Sequence, residues 1–334
     1  MSNNLSVVTG ANGYLGHTLV DELHKKGDRI RLSLHRDSDI FDKYGCEKVI
    51  GNVCDSDHLM EAFKGADTVY HVAGVVDITG KKDKLVMDVN YGGTKSVVEA
   101  CKKCGVKNLV YVSSVDCIPA DNGNSVITEL SHFDADKLND AYGKSKALAT
   151  QYVIDSSDEN LKCVAVHPSC CIGPNDIFGK NSVCTMIELY DEGLFRVTLN
   201  FGAYNFVDVR DVAKGMIAAA ENGRGGECYF LTGERLTVDQ FIKTLAKINN
   251  KKPPRIAMGK KTLLKLCPVI SLYFKIMKWP PVITEFSINK LCENCNFSYE
   301  KAKKELGYSP MSAEESLRDT VNWLKNKQSE SIKQ

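Results

Sequence analysis

Apolar and polar positions follow two rhythms along this chain, and the switch between them recurs. Residues 5–8, Leu5-Ser6-Val7-Val8, are a short apolar run with adjacent valines, which suits a strand buried on both faces. From 17 to 26 the period lengthens, and Leu15, Leu19, Val20 and Leu23 fall on one side of a helix ended by Gly27. Residues 29–34 alternate as a second strand, and 48–53 read as a third. Asp55 is placed to cap a helix over 56–63, and 68–74 read as a fourth strand. The segment 88–94 opens a helix that runs to Lys103, with Gly105 behind it, before a fifth strand over 108–114. Another helix starts at Ala141, and 162–169 form a sixth strand whose ladder Pro168 stops. This alternation predicts an α/β fold built on a doubly wound parallel sheet. The pattern loosens afterwards. Residues 172–205 read as irregular, 206–213 start a helix capped by Asp211, 227–234 form a short strand and turn, and Thr237 caps a further helix.

Between the first strand and helix stand three glycines, Gly10, Gly13 and Gly16, in Thr9-Gly10-Ala11-Asn12-Gly13-Tyr14-Leu15-Gly16. A glycine-rich turn there lets backbone approach a diphosphate, whose charge meets amide N–H groups at the helix N-terminus. Gly10 can take the tight turn, Gly13 removes a side chain that would strike the phosphate, and Gly16 allows close helix–strand packing. The spacing is G-x-x-G-x-x-G, one residue longer than the common dinucleotide fingerprint. Written TGANGYLG, it resembles the extended branch of the short-chain dehydrogenase/reductase superfamily, the NAD-dependent epimerase/dehydratase family. Further phrases carry the same resemblance: HVAG at 71–74, Asn90-Tyr91-Gly92-Gly93-Thr94, FVDVRDVA at 206–213, and Glu305 to Pro310 near the end.

The resemblance implies a Rossmann-type sheet with a smaller C-terminal substrate-binding lobe. Residues 1–171, with 206–232 returning to them, would bind the cofactor; 172–205 and 233–334 would build the substrate lobe. It also implies cofactor contacts at Gly10, Asn12, Gly13, Tyr14, Leu15 and Gly16 on the turn. Asn52 and Val53 would meet the adenine, with Asn52 standing where the family often has aspartate. Val72, Ala73 and Gly74 would lie beside adenosine and diphosphate, with Asn90 bracing the neighbouring strand. Val112, Pro168, Ser169 and Cys170 would approach the nicotinamide. His71 and His167 read as packed residues rather than catalysts.

The tip of the second strand bears on cofactor choice. It carries His35 and Arg36, with Asp37 and Asp39 only later in the loop. A guanidinium suits a ribose 2′-phosphate, because its planar fork offers two parallel charged hydrogen bonds. His35 and Arg36 therefore favour NADP(H); Asp37 folding back onto the ribose would instead suit NAD(H).

The chemistry lies further on. Tyr142 and Lys146 are four residues apart on one helical face, and the fifth strand ends in Ser113-Ser114. A phenol with pKa about 10 exchanges protons poorly at neutral pH. An ammonium beside it favours the phenolate and brings it nearer operating pH. A serine hydroxyl facing that pair can bond the same substrate oxygen. The resemblance assigns Tyr142 as acid/base, Lys146 as its modulator and ribose ligand, and Ser114 as the carbonyl-binding hydroxyl, with Ser113 as the fallback.

Composition narrows the partners. Lysine plus arginine number 43 against 42 aspartates and glutamates, so nothing overall points to nucleic acid or an anionic surface. The polar start that runs straight into a strand leads us to expect no signal peptide, and the 13 scattered cysteines suit reduced cytoplasmic thiols. Cys101/Cys104 and Cys292/Cys295 are two C-x-x-C pairs, but they lie far apart and no other ligands support them, so no metal is expected. The apolar stretch 262–277 is interrupted by Lys265, Pro268 and Lys275, too short and charged to span a bilayer. It reads as a cover for the substrate pocket or a partner subunit, with membrane-surface association as the lesser reading. The resemblance makes a homodimer the default state.

Three functions compete. The first is an NADP(H)-dependent oxidoreductase interconverting a carbonyl and an alcohol on a relatively apolar small molecule. It is similar to dihydroflavonol reductases and 3β-hydroxysteroid dehydrogenases. The second is a nucleotide-sugar 4-epimerase holding NAD tightly; a dehydratase would add an acidic pair after the strand-five hydroxyl, where only Asp116 stands. The third is a regulator that senses NADP(H) without chemistry, which would not need Ser114, Tyr142 and Lys146 together.

Overall fold

The computed structural model describes residues 4–77, 82–119, 123–179, 181–193, 197–277 and 283–331. Its first half alternates strand and helix: β1 (Leu5–Thr9), α1 (Tyr14–Lys26), β2 (Arg29–Leu34), β3 (Glu47–Ile50), α2 (Ser56–Phe63), β4 (Thr68–His71), α3 (Asp83–Met87), α4 (Thr94–Cys104), β5 (Asn108–Val112), α5 (Ala141–Asp155) and β6 (Lys162–Pro168). The second half adds β7 (Cys170–Ile172), α6 (Ser182–Asp191), β8 (Val197–Leu199), β9 (Ala203–Asp208), α7 (Val209–Asn222) and β10 (Glu227–Leu231). Then follow β11 (Glu234–Thr237), α8 (Val238–Ile248), β12 (Ile256–Met258), α9 (Lys260–Ile276), α10 (Glu285–Lys290), α11 (Glu300–Leu306) and α12 (Ala313–Ser331).

Seven strands form the main sheet in the order β10-β6-β5-β4-β1-β2-β3, every pair parallel. The order reverses direction at β1, so a crevice opens beyond the carboxyl ends of β1 and β4. A parallel sheet needs cover on both faces, and the strands read accordingly. Val7 packs into one core with Leu109 and Tyr111, while Val8 packs into the other with Val110 and Val112. The first core lies under α2, α4 and α5, and the second under α1, α7 and α11.

A three-stranded sheet, β11-β9-β7, and a two-stranded one, β12-β8, stand beyond the crevice. The core joining α8 and α12 to the larger of these is built from Phe206, Phe241, Leu245, Leu317 and Val321. Several local expectations are corrected here. The strands expected over 48–53, 68–74 and 108–114 stop at Ile50, His71 and Val112, so their last residues form loops over the crevice. The stretch 172–205, of which 180 and 194–196 lie outside the described residues, contains α6 and two strands rather than irregular chain. Asn181 caps α6, accepting from the Val183 and Cys184 N–H groups. Asp208, not Asp211, caps α7 by accepting from Arg210 N–H; the Asp211 carboxylate receives Met311 N–H instead. Among the described residues no helix is long and apolar enough to cross a membrane.

Candidate active site

The glycine turn is shaped by contacts that only glycine permits. Gly10 has φ +74°, and a Cβ there would lie 2.5 Å from Ala73 N; a Cβ on Gly16 would lie 2.2 Å from Gly10 O. The turn is thereby pressed against both the β4 end and its own helix. At Gly13 the helix α1 begins with no side-chain cap and no acidic residue in its first turn. Its leading N–H groups and the positive end of its dipole are left to an outside anion. That arrangement fits a dinucleotide diphosphate.

The turn is one end of a cavity of about 1250 Å³ running over the carboxyl ends of the main sheet. Gly10, Asn12, Gly13, Tyr14, Leu15 and Gly16 line it, as do His35, Asn52 and Val53. So do Val72, Ala73, Gly74 and Val112, and, farther along, Pro168, Ser169 and Cys170. Arg36, expected at a ribose 2′-phosphate, and Asn90, expected to brace the neighbouring strand beside the cofactor, are not on its wall. Asn90 is buried behind it, accepting from Val75 N–H and donating to Val75 O and Ser145 Oγ, so it braces the loop after β4. Arg36 is exposed beside the rim, where its carbonyl accepts from Asn12 Nδ2 at 2.8 Å. Asp37 is drawn away, 3.2 Å from Lys48 Nζ. The Asn52 side-chain oxygen accepts Cys54 N–H, a local Asx turn occupying the group expected to face adenine.

Ser114, Tyr142 and Lys146 meet on the cavity's inner wall. Asp140 caps α5 by accepting Gly143 N–H at 2.7 Å, so Tyr142 and Lys146 project one turn apart from its first coils. Ser113 is turned towards α5, its hydroxyl bonded to Thr150 Oγ1, which leaves Ser114 as the hydroxyl at the reacting end. Ser114 Oγ donates to Asp116 Oδ2 at 3.2 Å and accepts Asp116 N–H at 3.1 Å. Lys146 is 4% exposed, and its amine donates to Val112 O at 2.7 Å and sits 4.9 Å above the Tyr111 ring. Burial holds that amine down to a pKa of about 8.

The electrostatics of Tyr142 differ from the expectation. Burial, and after it the Asp116 carboxylate, push the phenol well above its ordinary value, with the Ser114 hydrogen bond acting in the opposite direction. The Lys146 amine donates to Val112 O, and so does not act as the tyrosine's leading counter-charge.

A model of the 3-beta hydroxysteroid dehydrogenase/isomerase family matches residues 7–247. The chain belongs to that family. As a member of it and of the extended short-chain dehydrogenase/reductase superfamily, the chain is an NAD(P)-dependent dehydrogenase or reductase. It is 28% identical over 331 residues to sterol demethylase protein B of Methylococcus capsulatus, covering 96% of this chain and 98% of the relative. To the decarboxylating sterol-4-alpha-carboxylate 3-dehydrogenase of Mus musculus it is 28% identical over 335 residues, covering 94% and 89%. The crystal structure of gox2253 superposes with a TM-score of 0.82 at 27% identity, over 97% of this chain and 99% of that one.

Within this family member the remaining signature residues take structural places. His71 is fully buried between Thr9 Oγ1 and Thr94 Oγ1, at 2.8 and 3.0 Å, and burial lowers its pKa to about 3. His167 stacks on Phe133 and bonds Ser114 O at 3.1 Å, steadying the serine's backbone. Arg210 lies off the cavity wall and clamps Asp208 and Asp319 at 2.8 and 2.7 Å. The cysteines are free thiols, and among the described residues no cluster of three or more His, Cys, Asp or Glu could hold a metal.

The stretch 262–277, expected as a cover for the pocket, does line it through Leu263, Ile270, Tyr273 and Phe274, but sequence reasoning missed one charged residue of the far wall. Lys290, at the end of α10, lines the cavity and pairs with Asp116 at 3.0 Å and Glu293 at 2.7 Å. Tyr14 also does more than line the turn, since its hydroxyl donates to Gly173 O at 2.7 Å and ties α1 to the loop after β7.

Proposed function

We propose that this enzyme interconverts a secondary alcohol and a ketone on a rigid, largely apolar molecule of sterol type, with NADP(H) as the preferred cofactor. In this reading residues 1–171 and 206–232 hold the cofactor, and 172–205 with 233–334 hold the substrate. The observation that carries it is the contrast between the two ends of the cavity. One end has the uncapped helix and the Ser114–Tyr142–Lys146 group; the other is walled by side chains such as Met186, Leu236, Phe241, Leu263 and Phe274. A cavity of about 1250 Å³ exceeds the roughly 300–1,000 Å³ of ordinary small-ligand pockets, leaving room for a bulky apolar body beside a dinucleotide. Two of the relatives reported above bear sterol enzyme names, which supports the same substrate class.

A nicotinamide held over Val112 and Pro168 would supply or accept hydride at the substrate carbon. The chain's own residues handle the proton. Ser114 Oγ and Tyr142 Oη hold the substrate oxygen from two sides, and Tyr142 gives its proton in reduction or takes it in oxidation. Lys146, which donates to Val112 O, would hold the cofactor ribose by giving its hydrogen bonds to the ribose hydroxyls. The apolar wall excludes water, strengthening these bonds.

NADP(H) is preferred because Asp37, the carboxylate that could serve an unphosphorylated ribose, is held by Lys48, while Arg36 stands unopposed at the rim. A nucleotide-sugar epimerase would need cations for a second diphosphate. Apart from Lys146, the one amine lining the cavity among the described residues is Lys290, already shared by Asp116 and Glu293.

The test is turnover of 3-hydroxy and 3-keto sterols with NADP⁺ or NADPH, products identified by mass spectrometry. UDP-sugars serve as the competing panel. Sterol turnover that falls by roughly 10²–10⁴ in Tyr142→Phe, with cofactor affinity nearly unchanged, is the expected result. Wild-type rates in that variant, or turnover of UDP-sugars alone, would overturn the reading.

A further inference from the structure

Near-neutral charge in the whole chain conceals a strong local imbalance. No acidic residue occurs between Asp239 and Glu285, whereas 240–284 contain ten lysines and arginines. Lys243, Lys247 and Lys251 are engaged by Asp239, Glu314 and Asp191. Among the described residues Lys260, Lys261, Lys265 and Lys275 form no ion pair, and all four stand on α9.

The same helix is apolar on two sides. Leu263, Cys267 and Phe274 point inwards and are buried. On the opposite side Leu266, Val269, Leu272 and Ile276 are 40%, 67%, 57% and 68% exposed. A helix apolar all round belongs inside something, and here one side faces open solvent. Tyr273 and Phe286 both line the cavity and reach the surface, so the cavity opens beside this outer stripe.

We propose that the outer face of α9 docks on an anionic lipid surface. Leu266, Val269, Leu272 and Ile276 enter the headgroup boundary, and Lys261, Lys265 and Lys275 lay their alkyl stems along it with their ammonium groups on lipid phosphates and carboxylates. Charge selects this occupant. Four cations with no opposing carboxylate on the helix repel a second copy of the same face, whereas an anionic leaflet attracts each of them. An apolar substrate could then pass between bilayer and cavity without crossing water. That consequence rests on the sterol reading; the docking itself stands on the surface of α9.

The test is flotation of the full-length protein with phosphatidylcholine vesicles, with and without phosphatidylserine, at low and high salt. The expected result is binding that requires phosphatidylserine and weakens with salt. Lys261→Gln with Lys265→Gln should weaken it by about fivefold per lysine. Leu272→Ser with Ile276→Ser should weaken it at least tenfold, roughly, while thermal melting stays at the wild-type midpoint. Failure to bind phosphatidylserine vesicles would overturn the proposal, and so would equal binding to neutral ones. A dimer in light scattering that Leu272→Ser dissociates would also overturn it, giving the face to a second copy. Sterol turnover without vesicle binding would refute the docking alone.

Discussion

The stability of the wild-type protein relative to a Lys146→Met variant should climb as pH rises from 7 to 10. Lys146 is 4% exposed, and burial lowers its pKa from 10.5 to about 8. That depression corresponds to about 3 kcal/mol. At pH 7 the amine is protonated in both folded and unfolded chains, so the folded state bears the whole cost of a buried ammonium. As pH passes 8 the folded amine discharges, while the unfolded one keeps its proton until about 10.5. The cost is therefore relieved across that window, and stability rises with pH. Methionine carries no proton, and other titrating groups cancel in the difference. Cofactor-free wild type should gain roughly 2–3 kcal/mol on the variant between pH 7 and 10. Urea unfolding of both proteins at pH 7, 8.5 and 10 measures this directly. A difference that is flat in pH, or that moves the other way, would refute the desolvation of this amine.

Two further outcomes follow from the site. Arg36→Ala should weaken NADPH binding at least tenfold, roughly, and NADH far less, because the lost charged hydrogen bonds go to a phosphate that only one cofactor has; equal losses by titration calorimetry would remove the argument. Asp116→Asn removes the charge that, after burial, most raises the Tyr142 pKa, so the phenol should ionise at lower pH. Alcohol oxidation, which needs the phenolate, should then set in at lower pH, and carbonyl reduction should fade at lower pH; an unmoved kcat profile would show that Asp116 does not act on the tyrosine.

The main sheet was readable because its rules are local. Val7 and Val8 are neighbours that serve opposite cores, and that requirement shows as an unbroken apolar run. The glycine turn was readable for the same reason at Gly16, which answers Gly10 and Ala11 six and five residues before it, while Gly10 itself answers Ala73 beyond β4. Ser114, Tyr142 and Lys146 were found because one helix turn and one strand end hold all three. Lys290 obeyed no such rule: it meets Asp116 across about half the chain, and α10 has six residues, too few to reveal a period. The expected effect of Lys146 on Tyr142 followed from spacing alone, and spacing says nothing of the Val112 carbonyl that captures the amine. In the same way the cap expected at Asp211 falls to Asp208, three residues earlier. Asp211 is claimed instead by the Met311 N–H from 100 residues away, a contact no local pattern announces.

The clamp around Asp208 also bears on how the chain is made. Asp208 is 1% exposed and shares its carboxylate between Arg210, which leaves the ribosome almost with it, and Ser316, which follows 108 residues later. At about 5–20 residues per second, synthesis leaves a gap of roughly 5–20 s in which Arg210 alone answers that charge. The parallel sheet up to β6 can close while translation continues, but the crossing of β9 and α7 has to wait for the tail. A nascent polypeptide stalled before Ala313 would hold a finished nucleotide fold attached to an unfinished half, a natural target for chaperones and for quality-control proteolysis.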